Sequence, residues 1–535
     1  MATWEHLRLY KRAGNLTVSR TYGLIAVAIL LLAAVLRFWN FNGASLWMDE
    51  SISLSLAELP VSAILFDEID NHPPLSFLIQ HGWQQIFPDA ALARVPAILF
   101  GIATVYVVMA GLKDLVSMRA AIMAGLILAL STSHIYYSQE ARMYSLVLFG
   151  LSLAMWGGIG QVEPGARSQR AYAVLYVVGG VIAIFSHLLG LIAMAVIGFA
   201  SLGGGMMSGG SLKGFALGWL GRNVLLFLLT LPWLVQIPGN MAFEGLHQPT
   251  SLFKSLWYFK TMTAFPGLGL ADNLFALILY GLVVFGVVQA WRGGRRTLAL
   301  TLAGLVVAYP ALLFLISLDR PLIGARTMIP VTLGVCAAGA YGLSQIASAR
   351  AHWGLMVLIG GASLVSSLHH LSHAIKPENF RAAFAHVDSE GYGDAPVLNC
   401  IDMSVTAAWY ARPQAKHFLY QRGGLMQFEG PGYWQAARMS MAHYGQSTAQ
   451  EIDAFMNGSL LVEGGIAGAF GGTDKVAFVR PFCAEEDQRD IEAGLSELGF
   501  VAQSERRIYD GAPDYQIMAW PRTRVTLYER PADAS

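Results

Sequence analysis

The chain has 535 residues, 55% of them hydrophobic and only 13% charged, about half the roughly 25% charge of an ordinary soluble domain. Lysine plus arginine and aspartate plus glutamate balance at 35 each. There is no basic excess of the kind that nucleic acid requires. Composition therefore excludes a nucleic-acid partner and an ordinary soluble globule, and it points to a protein embedded in a membrane.

Apolar stretches of about 20 residues, the length that crosses roughly 30 Å of hydrocarbon, recur from Thr21 to about His370, and about eleven can be counted. The first, Gly23–Val35, follows Arg8, Lys11, Arg12 and Arg20. No small-residue cleavage site follows it, so it reads as a retained helix with its N-terminus in the cytoplasm. Pro73–Phe87 is apolar but short and carries Gln80, His81, Gln84 and Gln85. Laid along the surface, it leaves Ala91–Leu112 and Ala120–His134 as the next spans. Lys113 and Arg119, Arg167 and Arg170, Lys213 and Arg222, Arg292, Arg295 and Arg296, and Arg350 then all fall on the cytoplasmic side, as the positive-inside rule demands. The last span, about Gly354–His370, leads outward.

From about Lys376 the texture changes. Charged residues become frequent, β-like runs appear at Val397–Ile401, Ser459–Val462 and Lys475–Val479, and a helical stretch follows at Glu485–Leu498. The expected organisation is a transmembrane domain over 1–375 and a periplasmic α/β domain over 376–535. Cys336 lies in an apolar run and reads as a buried free thiol. Cys400 and Cys483 lie in the polar portion and can form one disulfide if it is outside the cytoplasm.

That topology puts four polar clusters on one face: Trp47 to Glu50, Asp67 to Pro74, Ser138 to Tyr144, and Asp319-Arg320 with Arg326. Charged side chains at span ends are costly to dehydrate and often mark a substrate path. Asp49 and Glu50 open the amphipathic stretch Ser51–Leu59, where a carboxylate can take a proton from an attacking hydroxyl; the alternative is that Asp49 caps the helix. Glu140 is a third candidate carboxylate. Asp70 and His72, beside Pro73 and Pro74, can ligate a divalent cation, Mg²⁺ or Mn²⁺ through oxygen or Zn²⁺ through imidazole; His72 can equally serve as a hydrogen-bonding turn residue or touch substrate. Arg142 and Arg326 offer planar donors to a phosphate, or else snorkel to headgroups. Tyr144 shares the Arg142 cluster. Lys260 lies in Pro238–Gly269, an aromatic-rich outward segment that can cover a site or lie at the interface.

The ordered set Leu46-Trp47-Met48-Asp49-Glu50, Asn71-His72-Pro73-Pro74-Leu75, Glu140-Ala141-Arg142-Met143-Tyr144 and Gly324-Ala325-Arg326-Thr327 resembles the GT-C superfamily of polyprenyl-phosphate-sugar-dependent transferases over roughly residues 20–350. Within it the sequence is most similar to bacterial glycosyltransferase family 39, including rhizobial lipopolysaccharide galacturonosyltransferase-like proteins, and more remotely to aminoarabinose transferases and protein O-mannosyltransferases. The resemblance implies a GT-C-like helical fold and an inverting transfer from an undecaprenyl-phosphate sugar to a hydroxyl of a lipid, glycan or protein at the periplasmic face of the bacterial inner membrane. It places Asp49 at the catalytic carboxylate and Arg326 near the carrier phosphate. The chain departs from the family at two points. Asn71-His72 stands where the aminoarabinose transferases have an acidic metal ligand before Lys-Pro-Pro, and Arg326-Thr327 stands where many relatives read Arg-Tyr.

Two other functions compete. A transporter or flippase of lipid-linked sugars would carry repeated halves with broken helices near mid-membrane, and this sequence has no such repeat. An outward-facing sensor would leave the acidic span ends without a task.

Overall fold

The computed structural model describes residues 2–66, 72–163, 168–208, 212–235, 251–319, 322–373, 379–400, 410, 414–421, 423–428, 448–455, 458, 460–480, 483–508 and 523–531. They form two compact units. One comprises Met1–Phe41 with Pro60–Ser372, the other Asn42–Leu59 with His373–Ser535.

The first unit is helical. In chain order its helices are α1 (Ala2–Phe38), α3 (Val61–Phe66), α4 (Leu75–Ile86), α5 (Val95–Leu115), α6 (Met118–Ala129), α7 (Thr132–Ser138), α8 (Tyr144–Gly160), α9 (Gln169–Ser186), α10 (Leu189–Met207) and α11 (Leu212–Leu234); α2 (Met48–Ala57) belongs to the other unit. They are followed by α12 (Leu252–Thr263), α13 (Leu270–Arg292), α14 (Arg296–Ala303), which runs through one π turn into α15 (Tyr309–Ile316), α16 (Ile329–Ser344) and α17 (Ala349–His373). Among the described residues nine helices are long and apolar enough to cross a membrane, and the bent pair α6–α7 makes a tenth. Helix α8, with 17 residues, is a shorter apolar helix, at the lower limit of a span. This is a multi-pass membrane protein. Helix α4 is too short to cross, as its glutamines and histidine suggested.

Every residue of α16 is buried, as expected of a helix apolar all round that lies inside a bundle. The large exposed side chains of α11, among them Leu217, Leu220, Phe227 and Leu228, suit contact with lipid. Packing inside the unit relies on small residues. A methyl group at Gly179 of α9 would lie 2.5 Å from the Gly150 carbonyl oxygen and the Ala154 nitrogen of α8, and one at Gly150 would lie 2.8 Å from the Gly179 oxygen. Gly286 of α13 and Gly342 of α16 face each other in the same way, each 2.9 Å from the other's nitrogen by that measure. Close backbone approach through small residues is the membrane solution where tails are as apolar as leucine.

The sequence presents Ala120–His134 as one span, but the structure breaks it. Helices α6 and α7 meet at 63°, and Ser131 caps α7 by accepting from the His134 amide at 3.5 Å. Side chains meet three of the carbonyls at the break. Arg37 donates to Leu128 and Ala129, each at 3.2 Å, and Ser367 donates to Leu130 at 2.6 Å.

The second unit carries a six-stranded mixed sheet in the order β3-β2-β1-β4-β6-β5, built from β1 (Val397–Cys400), β2 (His417–Gln421), β3 (Gly424–Phe428), β4 (Lys475–Arg480), β5 (Val501–Arg507) and β6 (Arg524–Glu529). Strand β1 runs parallel to β2 and β4, and the other pairings are antiparallel. Gly423, at φ 78°, supplies the left-handed turn into β3. Helix α18 (Phe380–Ser389) covers one face through Phe380, Ala383, Phe384 and Val387, beside Val397 and Leu419. Of the remaining helices, α19 (Ala449–Phe455), α20 (Gly465–Phe470) and α21 (Glu485–Glu497), the last two cover the other face with Phe470, Ile491 and Leu495 against Leu398 and Phe478. The run expected as a strand over Ser459–Val462 gives only one bridge, Leu461 to Met426; Ser459 lies outside the described residues. Cys336 is free and buried. Cys400 at the end of β1 is bridged to Cys483.

Gly179→Leu should drive α8 and α9 apart and cost roughly 1–3 kcal/mol, read as a lower unfolding midpoint in detergent. With its cysteines 83 positions apart in sequence, the disulfide should contribute about 3–5 kcal/mol to the second unit. Cys400→Ser with Cys483→Ser, followed by chemical denaturation, measures that contribution; two freely alkylated thiols in the native protein would remove the bridge.

Candidate active site

Within the helical unit, polar side chains converge where spans meet their loops. His72 precedes Pro73 and Pro74, and Pro74 stands at the N-cap of α4, where a fixed φ suits a helix start. Its ring meets that of His187, between α9 and α10, edge to face with centroids 5.1 Å apart. His187 in turn lies 6.0 Å from Tyr144 at the head of α8, and Tyr144 lies 5.0 Å from Tyr137 of α7. The charges of Arg142 and Arg326 both act on His187, and those of Glu140 and Arg326 on Tyr137. Thus four residues expected to touch substrate, His72, Arg142, Tyr144 and Arg326, share one neighbourhood with Glu140, which is buried.

Two members were missed by the sequence reading. His187 is an ionisable residue at a span end, which is itself a signal, but it stands in an apolar run with only Ser186 beside it. Tyr137 sits in the run Ser133-His134-Ile135-Tyr136-Tyr137-Ser138, where only the fold distinguishes it from Tyr136. Its phenol oxygen is buried and has no hydrogen-bond partner among the described residues, a state that calls for an explanation in a native protein.

Burial, with His72, Arg142 and Arg326 adding like-signed fields, pushes the His187 imidazole well below its ordinary range. The ring is therefore neutral, and its Nδ1 accepts from the Leu189 amide at 3.1 Å. A neutral imidazole that accepts at Nδ1 carries its proton at Nε2. The cluster thus combines two guanidinium groups, a phenol and an imidazole N–H, all hydrogen-bond donors. Donors of this kind suit an anion with several oxygens, such as a phosphate.

The α7 segment that carries this cluster is pinned from α1. Arg37 is fully buried and donates to the released carbonyls of α6, to its own helix at Ala33 (3.0 Å), and to His134 Nδ1 at 2.6 Å. Gln139 closes the other end of α7 by donating to the carbonyls of Arg37 and Trp39 at 3.1 and 2.9 Å. Ser133 donates to Met262 O at 2.7 Å, tying α7 to α12.

Lys260 pairs with Asp272 at 2.8 Å, and Asp272 also accepts the Phe265 amide at 3.0 Å. Asp70 lies outside the described residues. Among the described residues no three histidine, cysteine or carboxylate side chains come together, and His72 with His187 makes only a pair of imidazoles. Asp49 and Glu50 belong to α2 of the second unit, and both are buried. Trp47 holds the N-cap position of α2, and its amide donates to Glu50 Oε2 at 3.4 Å, so Glu50 is the residue that reaches back as an N3 glutamate does. Asp49 occupies the first turn beside it.

No protein-family model matches the sequence, and no curated protein does. Solved structures do match the fold. ArnT from Cupriavidus metallidurans in the apo state aligns with a TM-score of 0.60 at 13% identity, over 95% of this chain and 98% of that one. ArnT from the same organism bound to undecaprenyl phosphate gives 0.58 at 14% identity, over 94% and 97%. An oligosaccharyltransferase from Archaeoglobus fulgidus, AglB in complex with an inhibitory peptide and a dolichol-phosphate, gives 0.49 at 12% identity over 85% and 69%. The ArnT likeness shows the fold: an ArnT-like helical polytopic membrane protein with a C-terminal mixed β-sheet domain.

His187 titrates near its ordinary value, about 6.5, only in the unfolded chain. Its folded form resists the proton, so the unfolded state binds more protons as pH falls below that value. Stability should be full above pH ~6.5 and decline on acidification, and His187→Asn should lose less of its unfolding midpoint between pH ~7.5 and ~5.5 than the parent. Equal losses in the two proteins would show that His187 is not the titrating group.

Proposed function

We propose that this chain is a membrane glycosyltransferase that moves a sugar from a polyprenyl-phosphate donor to a hydroxyl acceptor with inversion at the anomeric carbon. The carrying observation is the convergence of Arg142 and Arg326 with His72, Tyr144, His187 and Tyr137 at the ends of spans. That donor-rich cluster on a membrane protein suits a phosphate attached to a lipid. The fold is in keeping with this, since ArnT, which shares it, has been solved with undecaprenyl phosphate bound.

In the proposed reaction the acceptor oxygen attacks C1 of the sugar, the bond between C1 and the phosphate oxygen breaks with its electron pair going to the phosphate, and the acceptor's proton is taken by a carboxylate. Asp49 is assigned that role on the strength of the family resemblance. The leaving phosphate gains negative charge as the bond breaks, and Arg142, Arg326 and the Nε2–H of His187 supply positive charge and donors that grow more favourable as it does so. Glu140, buried near Tyr137, balances the arginines.

The same reading assigns the N-terminus to the cytoplasm and the sheet unit to the periplasm of a bacterial inner membrane. The bridge between Cys400 and Cys483 supports that side, because disulfides persist in oxidising compartments. The acceptor class, whether lipid, glycan or protein, is a matter for the assay.

Purified protein should transfer label from one member of a panel of undecaprenyl-phosphate sugars to mixed envelope acceptors, and Asp49→Asn should abolish turnover without changing extraction or unfolding. Arg326→Ala and Arg142→Ala should weaken binding of undecaprenyl phosphate about 10- to 100-fold, the value of charged hydrogen bonds of 1.5–3 kcal/mol. Donor bound but translocated rather than transferred in proteoliposomes would make the protein a flippase instead.

A further inference from the structure

The helix that bears Asp49 and Glu50 is not part of the helical unit that precedes and follows it in sequence. Residues 42–59 belong to the compact unit formed by the C-terminal sheet, and several contacts hold the seven residues just ahead of Asp49. Arg381, on α18, donates through Nη1 to the Asn42 carbonyl at 2.7 Å and to the Gly43 carbonyl at 3.4 Å, and through Nη2 to Asn42 Oδ1 at 3.3 Å. Its backbone amide donates to Ser45 Oγ at 3.5 Å. The phenol oxygen of Tyr410 accepts the Leu46 amide at 2.7 Å. Met48, the first residue of α2, packs against the core cluster of Phe380, Phe384 and Val387.

Helical geometry accounts for the arrangement. Phe380, Ala383, Phe384 and Val387 lay one face of α18 on the sheet, and Arg381, a hundred degrees round from Phe380, is turned off that face. A guanidinium has five donors in a fixed fork, enough to take two consecutive carbonyls and a side-chain amide at once, whereas a loop tied only by its own residues would keep its conformational freedom. The tyrosine then fixes the chain one residue before the N-cap. With the backbone set at Asn42, Ser45 and Leu46 and the helix begun by the contact between Trp47 and Glu50, the Asp49 side chain leaves a turn whose direction is fixed from the C-terminal sheet.

We propose that Arg381 and Tyr410 are positioning residues for Asp49, and that the C-terminal sheet unit serves catalysis by holding the acidic helix in place. The inference rests on the assignment of Asp49 as proton acceptor for its catalytic consequence, though not for its structural one. Positioning carries a rate and not an affinity, since a misplacement of about 1 Å costs on the order of 10²-fold.

The test uses the full-length protein in nanodiscs with Arg381→Ala, Arg381→Lys and Tyr410→Phe. Hydrogen exchange of amides in residues 44–52 should quicken at least about tenfold in Arg381→Ala and Tyr410→Phe while the sheet strands keep their protection, and Arg381→Lys, which keeps a charge and donors, should fall between. In the transfer assay kcat should drop about 10- to 100-fold with the affinity for undecaprenyl phosphate unchanged, and Arg381→Lys should restore part of it. Unchanged exchange in residues 44–52 for both variants, or a loss that falls on donor affinity instead of kcat, would overturn the proposal. Should Arg381→Ala loosen the sheet as well, Tyr410→Phe, which removes one hydroxyl, decides alone. Full turnover in Asp49→Asn would sink the assignment of Asp49 while leaving the exchange result to stand or fall separately.

Discussion

A helix that stops inside an apolar bundle leaves carbonyls without amide partners, and each one buried bare costs several kcal/mol in a setting with no water to replace the bond. In this chain the break between α6 and α7 is made tolerable by Arg37. Its guanidinium takes the Leu128 and Ala129 carbonyls and the imidazole of His134, and Ser367 takes the Leu130 carbonyl. A short second helix can therefore start in a new direction from Ser131. The candidate site depends on that turn, because α7 delivers Tyr137 and leads into Glu140, Arg142 and Tyr144.

Around this fixed point the helical unit is drawn together by residues chosen for size. The glycines on α8 and α9 bring two backbones into contact, and α8 is the helix whose first residue is Tyr144. Close packing thus sets the position of a site residue as well as the strength of the bundle. The loop that joins α9 to α10 presents His187 to His72 and Tyr144. Its imidazole stays neutral because it is buried among positive groups, which keeps it a donor at Nε2 and spares the cluster a further charge.

The second unit solves a different problem with ordinary soluble chemistry: a mixed sheet covered by helices on both faces, closed by one disulfide. It draws in residues 42–59 although they come from between two stretches of the helical unit. The acidic helix then owes its frame to a partner some 340 residues away, Arg381, where a flexible loop between spans would have left Asp49 free to wander.

Much of this was legible in the sequence. Apolar length and the positions of arginine and lysine determine the multi-pass class and most of the span boundaries, since the cost of dehydrating charge and backbone is local and reads directly from composition. The β-runs at Val397 and Lys475 and the helix at Glu485 follow from local patterning as well. His72, Arg142, Tyr144 and Arg326 could be nominated because each stands at a span end among polar neighbours. Only the tertiary structure decided that these four come together, that His187 and Tyr137 join them, that Lys260 is engaged by Asp272, and that the span Ala120–His134 is broken and held open by Arg37. It also decided that Asp49 belongs to the sheet unit. These are contacts between residues tens to hundreds of positions apart, and no local propensity or spacing encodes which distant side chain will meet a given carbonyl or ring.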